Sequence, residues 1–492
     1  MLNQRNWIVP GRFLLGCLHR ARLYGCDNVS KCLQELSDIS ITPGSEEYNS
    51  KTRMYNPAFA QEHPAFVALP NSVDEVQKCL KSANFYKVPL AVRSGGHCFS
   101  GYSTIDSRGF VLSLNKLKAI KWSDNSVKVQ GGASWRDVYN QMDNDVLVVG
   151  GCCPTVGIGG YVLGGGYGLL SRRFGLASDN ALSMTMITAD GENVVKASPK
   201  ENSDLFWGLC GGGGGNFGVL FDVEFKTHTA PPSFTWSSFS FHNSQQSEQA
   251  LKLIADCVHM IPDGLNIDML IHKLPGYNQL VVDAVYSNDE MEQFPLLKQL
   301  RKIVDTKYLD IKHYDKYKVL SEEYALRHGY VHFEGKPVYM KGSFLDDFPP
   351  QLADILIELD LPNNPLGIIE FVHVGGQIAT KTSSFSAYPH RQAQYNCYTY
   401  GQFRNKSDWG TVFNFATEVH SVLAAGGYTK GSYVNYIDLF LGNWQEEYYG
   451  DNYARLCDLK REWNPVDNGG PLHFKQEIGS TYEPTILEPK YS

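Results

Sequence analysis

Short apolar runs separated by turn residues dominate the first half of this chain. They lie at residues 66–70, 89–94, 110–114, 126–130 and 145–150. Their length and bounding turns are typical of buried strands. Residues 72–84 have a helical pattern, with Asp74 and Glu75 in the first turn, where acidic side chains favour a helix N-terminus. This alternation predicts an α+β domain that extends to about Phe225.

The pattern changes after residues 228–233 (HTAPPS), a proline-rich segment that marks a domain boundary. Aromatic and polar residues alternate from Phe234 onward. Further strands are predicted at residues 266–272, 279–286, 367–374 and 395–403. Helices are predicted at residues 247–260, 290–304, 319–327 and 348–360. This order favours an antiparallel sheet covered on one face by helices. The segment from Tyr433 is predicted as a strand followed by an amphipathic helix.

Length and charge narrow the class of protein. The chain has 492 residues, too many for one small core, so two or three domains are expected. Its formal net charge of -8 provides no electrostatic reason to expect nucleic acid or an anionic membrane as a partner. No apolar run approaches the roughly 20 residues of a membrane-spanning helix, so no membrane partner is expected.

Two features favour the secretory pathway and a secreted glycoprotein. The chain has 11 cysteines, and Asn28 and Asn405 begin glycosylation sequons. The N-terminus contains no clear signal peptide, because Pro10, Gly11 and Arg12 interrupt its apolar segment. The compartment therefore stays open, with an extracellular location favoured.

Three glycine-rich stretches lie close together in sequence, at residues 93–97, 150–168 and 208–218. Glycine lets the backbone approach a ligand closely, and runs of free N–H groups bind phosphates. Three such stretches favour a large, phosphate-bearing cofactor. The chain lacks a Walker phosphate loop, and the surroundings of its glycines do not match a dinucleotide-binding βαβ unit. It also lacks Cys-x-x-Cys and His-Glu-x-x-His, so no metal site is expected.

Five motifs together carry a family resemblance. They are RSGGH at 93–97, CPTVGIGGYVLGGGYG at 153–168, FGLASDN at 174–180, LFWGLCGGGGGNFGVL at 205–220 and YVNYIDLFLG at 433–442. In residues and order they resemble the berberine bridge enzyme-like flavoproteins, a branch of the vanillyl-alcohol oxidase superfamily. The resemblance extends from about Cys32 to Pro465 and is weakest in residues 234–390.

The resemblance implies an α+β fold with a PCMH-type FAD-binding domain of two α+β subdomains. It also implies a substrate domain, with an antiparallel sheet covered by helices, and an active site at the interface of the two. The implied division is an N-terminal extension (1–30), the FAD-binding domain (31–228), the substrate-binding domain (229–429) and a C-terminal segment that returns to the FAD-binding domain (430–492).

Members of this family hold FAD by two covalent bonds. The resemblance implies that His97 is joined to the flavin 8α-methyl group and Cys153 to C6. Cys152 has no counterpart in the motif and is expected to be a small buried thiol. The resemblance also implies a disulfide between Cys32 and Cys79. The other cofactor-binding residues that it implies are Arg93, Ser94, Gly95, Gly96, Thr155, Gly157, Gly159, Gly160, Gly164, Asn180, Gly218, Val219, Tyr433 and Asn435.

Oxidation of an alcohol needs a base within hydrogen-bond reach of the hydroxyl proton. The resemblance implies Tyr436 as this base and Tyr167 as its partner in orienting the substrate oxygen. A free tyrosine titrates at about 10, so a neighbouring donor or cation must lower the pKa of the base. Packing of both rings against the flavin is the alternative interpretation.

Four positions bear on how the family chemistry applies to this chain. Cys397 stands where many plant members have a lysine that helps to ionise the tyrosine base. Phe99 and Tyr161 replace a tyrosine and a histidine that are common in the family. Val156 matches the family oxidases, in which valine accompanies reaction with O2, whereas bulkier leucine or isoleucine accompanies dehydrogenases.

The leading function is therefore an FAD-linked oxidase, expected to be a monomer. It would transfer a hydride from a primary alcohol or sugar hemiacetal carbon to flavin N5, and then electrons to O2 to give H2O2. A second interpretation is oxidative cyclisation or C–N oxidation of an alkaloid or terpenoid. A third is a flavin-loaded storage or defence protein without a selected substrate.

Overall fold

A computed structural model describes the chain from Cys26 onward, so most of the predicted N-terminal extension lies outside the described residues. The described residues are 26–489 without 59–62, 275–276, 288–292, 329–333, 361, 363–366, 465–469, 473 and 485–488.

The first sheet has four strands in the order β1-β2-β4-β3, with β1 antiparallel to β2 and the other pairs parallel. Its strands are β1 (Ser40–Ile41), β2 (Val67–Ala68), β3 (Leu90–Arg93) and β4 (Phe110–Ser113). The accompanying helices are α1 (Cys26–Glu35), α2 (Glu46–Thr52) and α3 (Val73–Tyr86). The Ser72 side chain caps α3 by accepting a hydrogen bond from the backbone N–H of Glu75. The predicted helix is therefore confirmed, together with its acidic first turn.

Cys32 on α1 and Cys79 on α3 are free thiols in the structure, whereas a disulfide between them was expected. Both side chains are fully buried in one hydrophobic cluster. Burial raises the pKa of Cys32 to about 12 and raises that of Cys79 as well, with a further increase from Cys32 nearby. Protonated and buried, the two thiols pack as small apolar side chains.

The second sheet has five antiparallel strands in the order β5-β6-β10-β8-β9. Its strands are β5 (Ile120–Ser123), β6 (Ser126–Gln130), β8 (Ala181–Thr188), β9 (Val194–Ala197) and β10 (Gly218–Lys226). A separate pair consists of β7 (Val146–Leu147) and β11 (His228–Thr229). The helices here are α4 (Trp135–Tyr139), α5 (Ile158–Leu163), α6 (Ser171–Phe174) and α7 (Ser203–Leu209). The glycine-rich stretches thus lie after β3, around α5 and between α7 and β10.

The third sheet has seven antiparallel strands in the order β15-β12-β14-β13-β17-β18-β16. Its strands are β12 (Phe234–Phe241), β13 (Leu265–Leu274), β14 (Tyr277–Tyr286), β15 (Leu309–Tyr314), β16 (Val338–Leu345), β17 (Ile368–His373) and β18 (Tyr395–Gln402). The helices are α8 (Ser244–Cys257), α9 (Pro295–Ile303), α10 (Tyr317–Arg327), α11 (Pro350–Glu358) and α12 (Lys406–Ala425). The predicted antiparallel sheet is confirmed, while β15, β16 and α12 were not predicted. Among the described helices, none combines the length and the apolar composition that crossing a membrane requires.

The two faces of this sheet are buried against different partners. On one face Ile267, Met269 and Ile271 of β13 share a cluster with apolar residues of the covering helices. On the other face Trp236 and Tyr324 belong to the cluster that contains Trp135 of the second sheet's region. Since both faces are covered, polar residues on this second face lie inside the molecule.

The C-terminal segment differs from its prediction. Val434–Tyr436 forms a 3-10 turn, in which the N–H of Tyr436 bonds the carbonyl of Tyr433, and the predicted strand is wrong. The helices α13 (Trp444–Tyr449) and α14 (Tyr453–Trp463) follow. The chain then returns to the first sheet, where the N–H of Leu90 donates to the carbonyl of Pro471.

A buried ion pair joins this segment to the third sheet. Lys341 Nζ on β16 lies 2.8 Å from an Asp438 carboxylate oxygen, and both side chains are at least nine-tenths buried. The other Asp438 oxygen accepts hydrogen bonds from the Tyr339 hydroxyl (3.2 Å) and the backbone N–H of Phe440 (2.9 Å). These bonds hold the chain two residues after Tyr436.

Replacing Asp438 is expected to destabilise the fold strongly. Asp438→Ala leaves the buried Lys341 ammonium without its partner, so the free energy of unfolding should fall by about 3–5 kcal/mol in urea denaturation. Replacing both partners (Lys341→Met with Asp438→Leu) should restore part of that loss. Lys78→Ala breaks an exposed ion pair with Asp38 and serves as the control, with a much smaller loss expected. Equal losses in the two single variants would contradict a structural role for the buried pair.

Candidate active site

A cavity of about 310 Å³ lies where the three glycine-rich stretches meet the third sheet and the C-terminal turn. The sheet contributes side chains such as Met340, Val372 and Tyr398, and the turn contributes residues 433–437. Apolar atoms make up most of the wall, with a few buried polar groups among them. This composition is typical of a cavity that binds an organic cofactor or substrate.

Bare backbone forms one wall of the cavity. A Cβ added at Gly95 would collide with the backbone nitrogen of Gly157, and one added at Gly157 would collide with the Ser94 hydroxyl. Only glycine lets these two segments touch. A Cβ at Gly160 would have no atom within 4 Å, and one at Gly214 would have only the Gly160 Cα at 3.9 Å. Side chains at these two positions would fill open space that a flat or phosphate-bearing group can occupy.

The two expected attachment residues lie on either side of one hydroxyl group. Thr155 Oγ1 is 2.9 Å from His97 Nε2 and 3.6 Å from Cys153 Sγ. Burial, together with the charge of Arg93 nearby, lowers the pKa of His97 to about 3, so its ring is neutral at physiological pH. Burial raises the pKa of Cys153, while hydrogen bonds from Thr155 oppose that shift. The His97 ring also stacks on Tyr55 at 4.1 Å.

A cluster of tyrosines lies in the same cavity. The ring centroids of Tyr167 and Tyr436 are 6.3 Å apart, and Tyr433 is 4.8 Å from Tyr167 and 5.2 Å from Tyr436. Burial raises the pKa of Tyr436 well above its usual value, and a hydrogen bond with Tyr167 opposes that shift. The Asn396 amide donates in turn to the Tyr167 hydroxyl at 2.6 Å. The residues expected to act as base and partner are therefore in contact.

Hydrogen bonds hold the turn that carries Tyr436. The Asn435 amide donates to the carbonyl of Tyr161 (3.0 Å) and to the Tyr433 hydroxyl (2.9 Å). The Tyr433 hydroxyl also accepts the backbone N–H of Gly166 at 3.0 Å. These contacts tie the C-terminal turn to the second glycine-rich stretch.

The structure brings most of the expected cofactor-binding residues to the cavity wall. Those that line it are Ser94, Gly95, Gly96, His97, Cys153, Val156, Gly157, Gly159, Gly160, Tyr167, Gly218, Tyr433, Asn435 and Tyr436. Five expected residues are not part of this wall, namely Arg93, Thr155, Gly164, Asn180 and Val219.

Those five residues make their contacts from outside the cavity lining. Arg93 lies against Gly96 and donates to the carbonyl of Arg53, and Gly164 packs on the Asn435 side chain. Asn180 bonds the carbonyl of Leu176 at 2.8 Å and pairs with His228. Val219 is buried in the core of the first sheet, and Thr155 acts through the hydroxyl already described. The side chains of Arg93, Asn180 and Val219 are buried in the protein, although their motifs lie close to the cavity in sequence.

The three positions that depart from the family pattern have distinct surroundings. Cys397 faces the helix-covered side of the third sheet, so its neighbour Asn396 takes the place beside Tyr167. Phe99 contacts Tyr436 edge-on at 6.2 Å. Tyr161 lies edge-on to Trp135 at 5.2 Å, and its buried hydroxyl has no hydrogen-bond partner among the described residues.

Among the polar residues on the cavity wall that were not predicted are Asn266, Asp268 and Tyr324. Asn266 and Asp268 belong to a predicted strand and alternate with the apolar Ile267 and Met269. In sequence this alternation is typical of a strand with one face in water. The sequence does show a carboxyl group and an amide two residues apart on that strand. Their burial, however, is shown only by how this face of the sheet packs in the structure.

Comparisons with known proteins identify two family models and several relatives that match this chain. Residues 64–196 match the family model described as FAD binding domain, and residues 432–468 match the one described as berberine and berberine like. An uncharacterized FAD-linked oxidoreductase of Bacillus subtilis is 28% identical over 464 residues, which cover 90% of this chain and 98% of that protein. Reticuline oxidase of Papaver somniferum is 26% identical over 498 residues, covering 89% and 90%.

Solved structures share the whole fold. A chitooligosaccharide oxidase has a TM-score of 0.79 at 24% identity, covering 92% of this chain and 100% of that one. A grass pollen allergen with glucose dehydrogenase activity has a TM-score of 0.79 at 20% identity, covering 93% and 100%. An isoleucine-to-valine variant of that allergen, at the same TM-score, 21% identity and the same coverage, is described as a glucose oxidase. The two family models and these relatives show that the chain is an FAD-linked oxidoreductase similar to the berberine bridge enzyme-like proteins, and the solved structures show the α+β fold that it shares with them.

Proposed function

We propose that this protein is an oxidase of primary alcohols or sugar hemiacetals whose FAD is attached through His97 and Cys153. The observation that carries the proposal is the position of both residues at the Thr155 hydroxyl, in the cavity that also holds Tyr436 and Tyr167. The bare backbone at Gly160 and Gly214 leaves room for the cofactor. When bound, FAD accepts a hydride from the substrate carbon and passes the electrons to O2, giving H2O2.

Tyr436 takes the hydroxyl proton of the substrate at its phenolic oxygen. The Tyr167 hydroxyl accepts a hydrogen bond from the Asn396 amide, which leaves the Tyr167 proton available for donation to the Tyr436 oxygen. This donor stabilises the ionised form of the base. The apolar and aromatic wall excludes water from the reacting groups, which strengthens the hydrogen bond further.

His97 and Cys153 are both suited to forming a covalent bond with the flavin. The reasons are the neutral state of the His97 ring and the contact between Cys153 and the Thr155 hydroxyl. A neutral imidazole has a free lone pair on one nitrogen, as a nucleophile requires. The Thr155 hydroxyl contacts the Cys153 sulfur and opposes part of the increase in pKa that burial causes, which favours the thiolate form.

Val156 supports O2 as the electron acceptor. It lies on the cavity wall three residues after Cys153. The solved pollen allergen and its isoleucine-to-valine variant, described as a glucose dehydrogenase and a glucose oxidase, support the same interpretation. We further propose the division into FAD-binding (31–228), substrate-binding (229–429) and returning C-terminal (430–492) parts, with the protein secreted as a monomer.

The covalent attachment is tested by acid denaturation followed by absorption spectroscopy and intact mass. The chain is expected to stay yellow and to gain the mass of one FAD. His97→Ala and Cys153→Ala should each keep one bond and therefore the mass, whereas the double variant should lose both colour and mass. Cys152→Ala is the matched control and should behave as the wild type. A colourless chain of unmodified mass, produced with ample FAD, would reject the proposal.

Tyr436→Phe is expected to lower kcat by about 10²–10⁴-fold without loss of flavin, because it removes the base. The measurement is peroxide release with the best substrate from a panel of sugars and primary alcohols. Tyr314→Phe removes a hydroxyl that bonds Glu323 away from the cavity, so its activity should match the wild type. An unchanged kcat in Tyr436→Phe would exclude this residue as the base.

The pH profile gives an independent test of the pair. A base acts only when deprotonated, and burial raises the pKa of Tyr436, so kcat/KM should increase from neutral toward alkaline pH. Tyr167→Phe removes the hydrogen bond that lowers this pKa, and the rising limb should therefore move to still higher pH. A limb that stays in place, or moves to lower pH, would contradict the proposed donor.

Val156→Leu is expected to slow reoxidation by O2 by about tenfold or more, which corresponds to roughly 1.4 kcal/mol on the barrier. Stopped-flow absorbance should show this loss while reduction by substrate keeps its rate. If both half-reactions slow equally, the substitution has disturbed the cavity as a whole and Val156 does not control oxygen access.

A further inference from the structure

Asn266 and Asp268 form a buried polar pair on the cavity wall, here named the β13 pair. Both residues are on the face of β13 opposite to Ile267 and Met269, and both line the cavity. Asn266 is 3% exposed and Asp268 is 2% exposed. Neither belongs to the motifs by which the chain resembles its family.

Two hydrogen bonds hold the Asp268 carboxylate in place. One oxygen accepts the backbone N–H of His373 at 2.7 Å, and the other accepts the Tyr324 hydroxyl. The Tyr324 ring stacks on His328 at 4.0 Å, and the two His328 nitrogens each lie 2.9 Å from a carboxylate, of Asp283 and of Glu370. Each Asp268 oxygen thus has one bond and keeps a lone pair for a ligand.

The Asn266 side chain differs from the Asp268 carboxylate in its hydrogen bonding. Its amide nitrogen and its amide oxygen both lack a hydrogen-bond partner among the described residues, although the side chain is almost fully buried. Such burial is unfavourable unless something supplies both a donor and an acceptor. Since the side chain lines the cavity, a ligand in the cavity is the available source.

We propose that the β13 pair binds two adjacent hydroxyl groups of a polyhydroxylated substrate, as found on a sugar. A hydroxyl both donates and accepts, so a pair of them can satisfy the Asn266 amide and the free lone pairs of Asp268 together. A substrate with a single hydroxyl leaves part of the pair unsatisfied, and an ammonium group cannot accept the Asn266 N–H. The inference rests on the proposed function and narrows its substrate class.

The test separates binding from turnover. In a Tyr436→Phe background, whose turnover is expected to be about 10²–10⁴-fold slower, flavin absorbance is titrated without O2, before reduction, with D-glucose, cellobiose, xylitol, 2-deoxy-D-glucose, benzyl alcohol and benzylamine. Adding Asn266→Leu, which keeps the shape but removes both polar groups, should raise the Kd of the best polyhydroxylated ligand by about 10- to 100-fold. Binding of benzyl alcohol should change little. Peroxide release is measured in parallel on Asn266→Leu with Tyr436 intact.

Two controls keep the result interpretable. Asn278→Ala removes an asparagine of the same sheet whose amide bonds the carbonyl of Leu359 outside the cavity, and it should bind ligands as the parent does. Thermal unfolding checks that each variant is folded. Asp268→Asn tests the second member, and Asn266→Leu carries the test by itself if that variant does not fold.

Three outcomes would overturn the inference: an unchanged Kd in Asn266→Leu, no binding of any polyhydroxylated compound, or tight benzylamine binding that depends on Asp268 alone. A sugar that binds through Asn266 without being oxidised by the wild type would support the inference while rejecting the proposed oxidase. If Asn266→Leu still oxidises the sugar as the wild type does, the proposed oxidase is supported and the inference is rejected.

Discussion

The candidate site depends on a contact between two stretches of backbone. Ser94 and Gly95 touch Gly157 so closely that a side chain at either glycine would separate them. This contact brings the loop after β3, which carries His97, against the loop that carries Cys153. Without it the Thr155 hydroxyl could not reach both residues. Glycine here is required by packing, and the space left at Gly160 and Gly214 is a consequence of the same stretches.

The tyrosine cluster depends on a second, polar constraint. Tyr436 lies on a short turn, and buried hydrogen bonds hold the chain on either side of it. Asn435 fastens the turn to the second glycine-rich stretch, and Asp438 fastens it to β16 through Lys341. The turn is thus attached to both walls of the cavity, so the distance between Tyr436 and Tyr167 is set by the fold as a whole.

The face of the third sheet that contributes to the cavity wall carries several buried carboxyl groups. Its buried face carries Asp268, Asp283 and Glu370, and Asp268 is directly opposite Asp283 in the register of β13 and β14. Like charges in that arrangement repel. Burial lowers the pKa of His328, but its two carboxylate partners outweigh this and raise it to about 10, so a protonated imidazole compensates part of the charge. Burial raises the pKa of Asp268 to about 6, so this group stays mostly ionised at neutral pH.

Local sequence determined much of this protein. The helix at residues 72–84, strands β2, β3 and β4, the antiparallel sheet after Phe234 and the glycine-rich stretches follow from short-range patterns, because propensity, turns and periodicity act over a few residues. His97, Cys153, Tyr167 and Tyr436 were predicted because they stand in motifs, and all four lie on the cavity wall. Only the tertiary structure decided the rest. In the tertiary structure, Asn180 and Val219 lie away from the cavity, and the predicted strand at Tyr433 is a 3-10 turn. Asn396, and not Cys397, is the neighbour of Tyr167. The tertiary structure also buries Asn266 and Asp268, whose alternation with apolar residues indicates a solvent-exposed face. In each case the deciding contact joins residues far apart in sequence, and a local pattern contains no information about which distant surface will cover it.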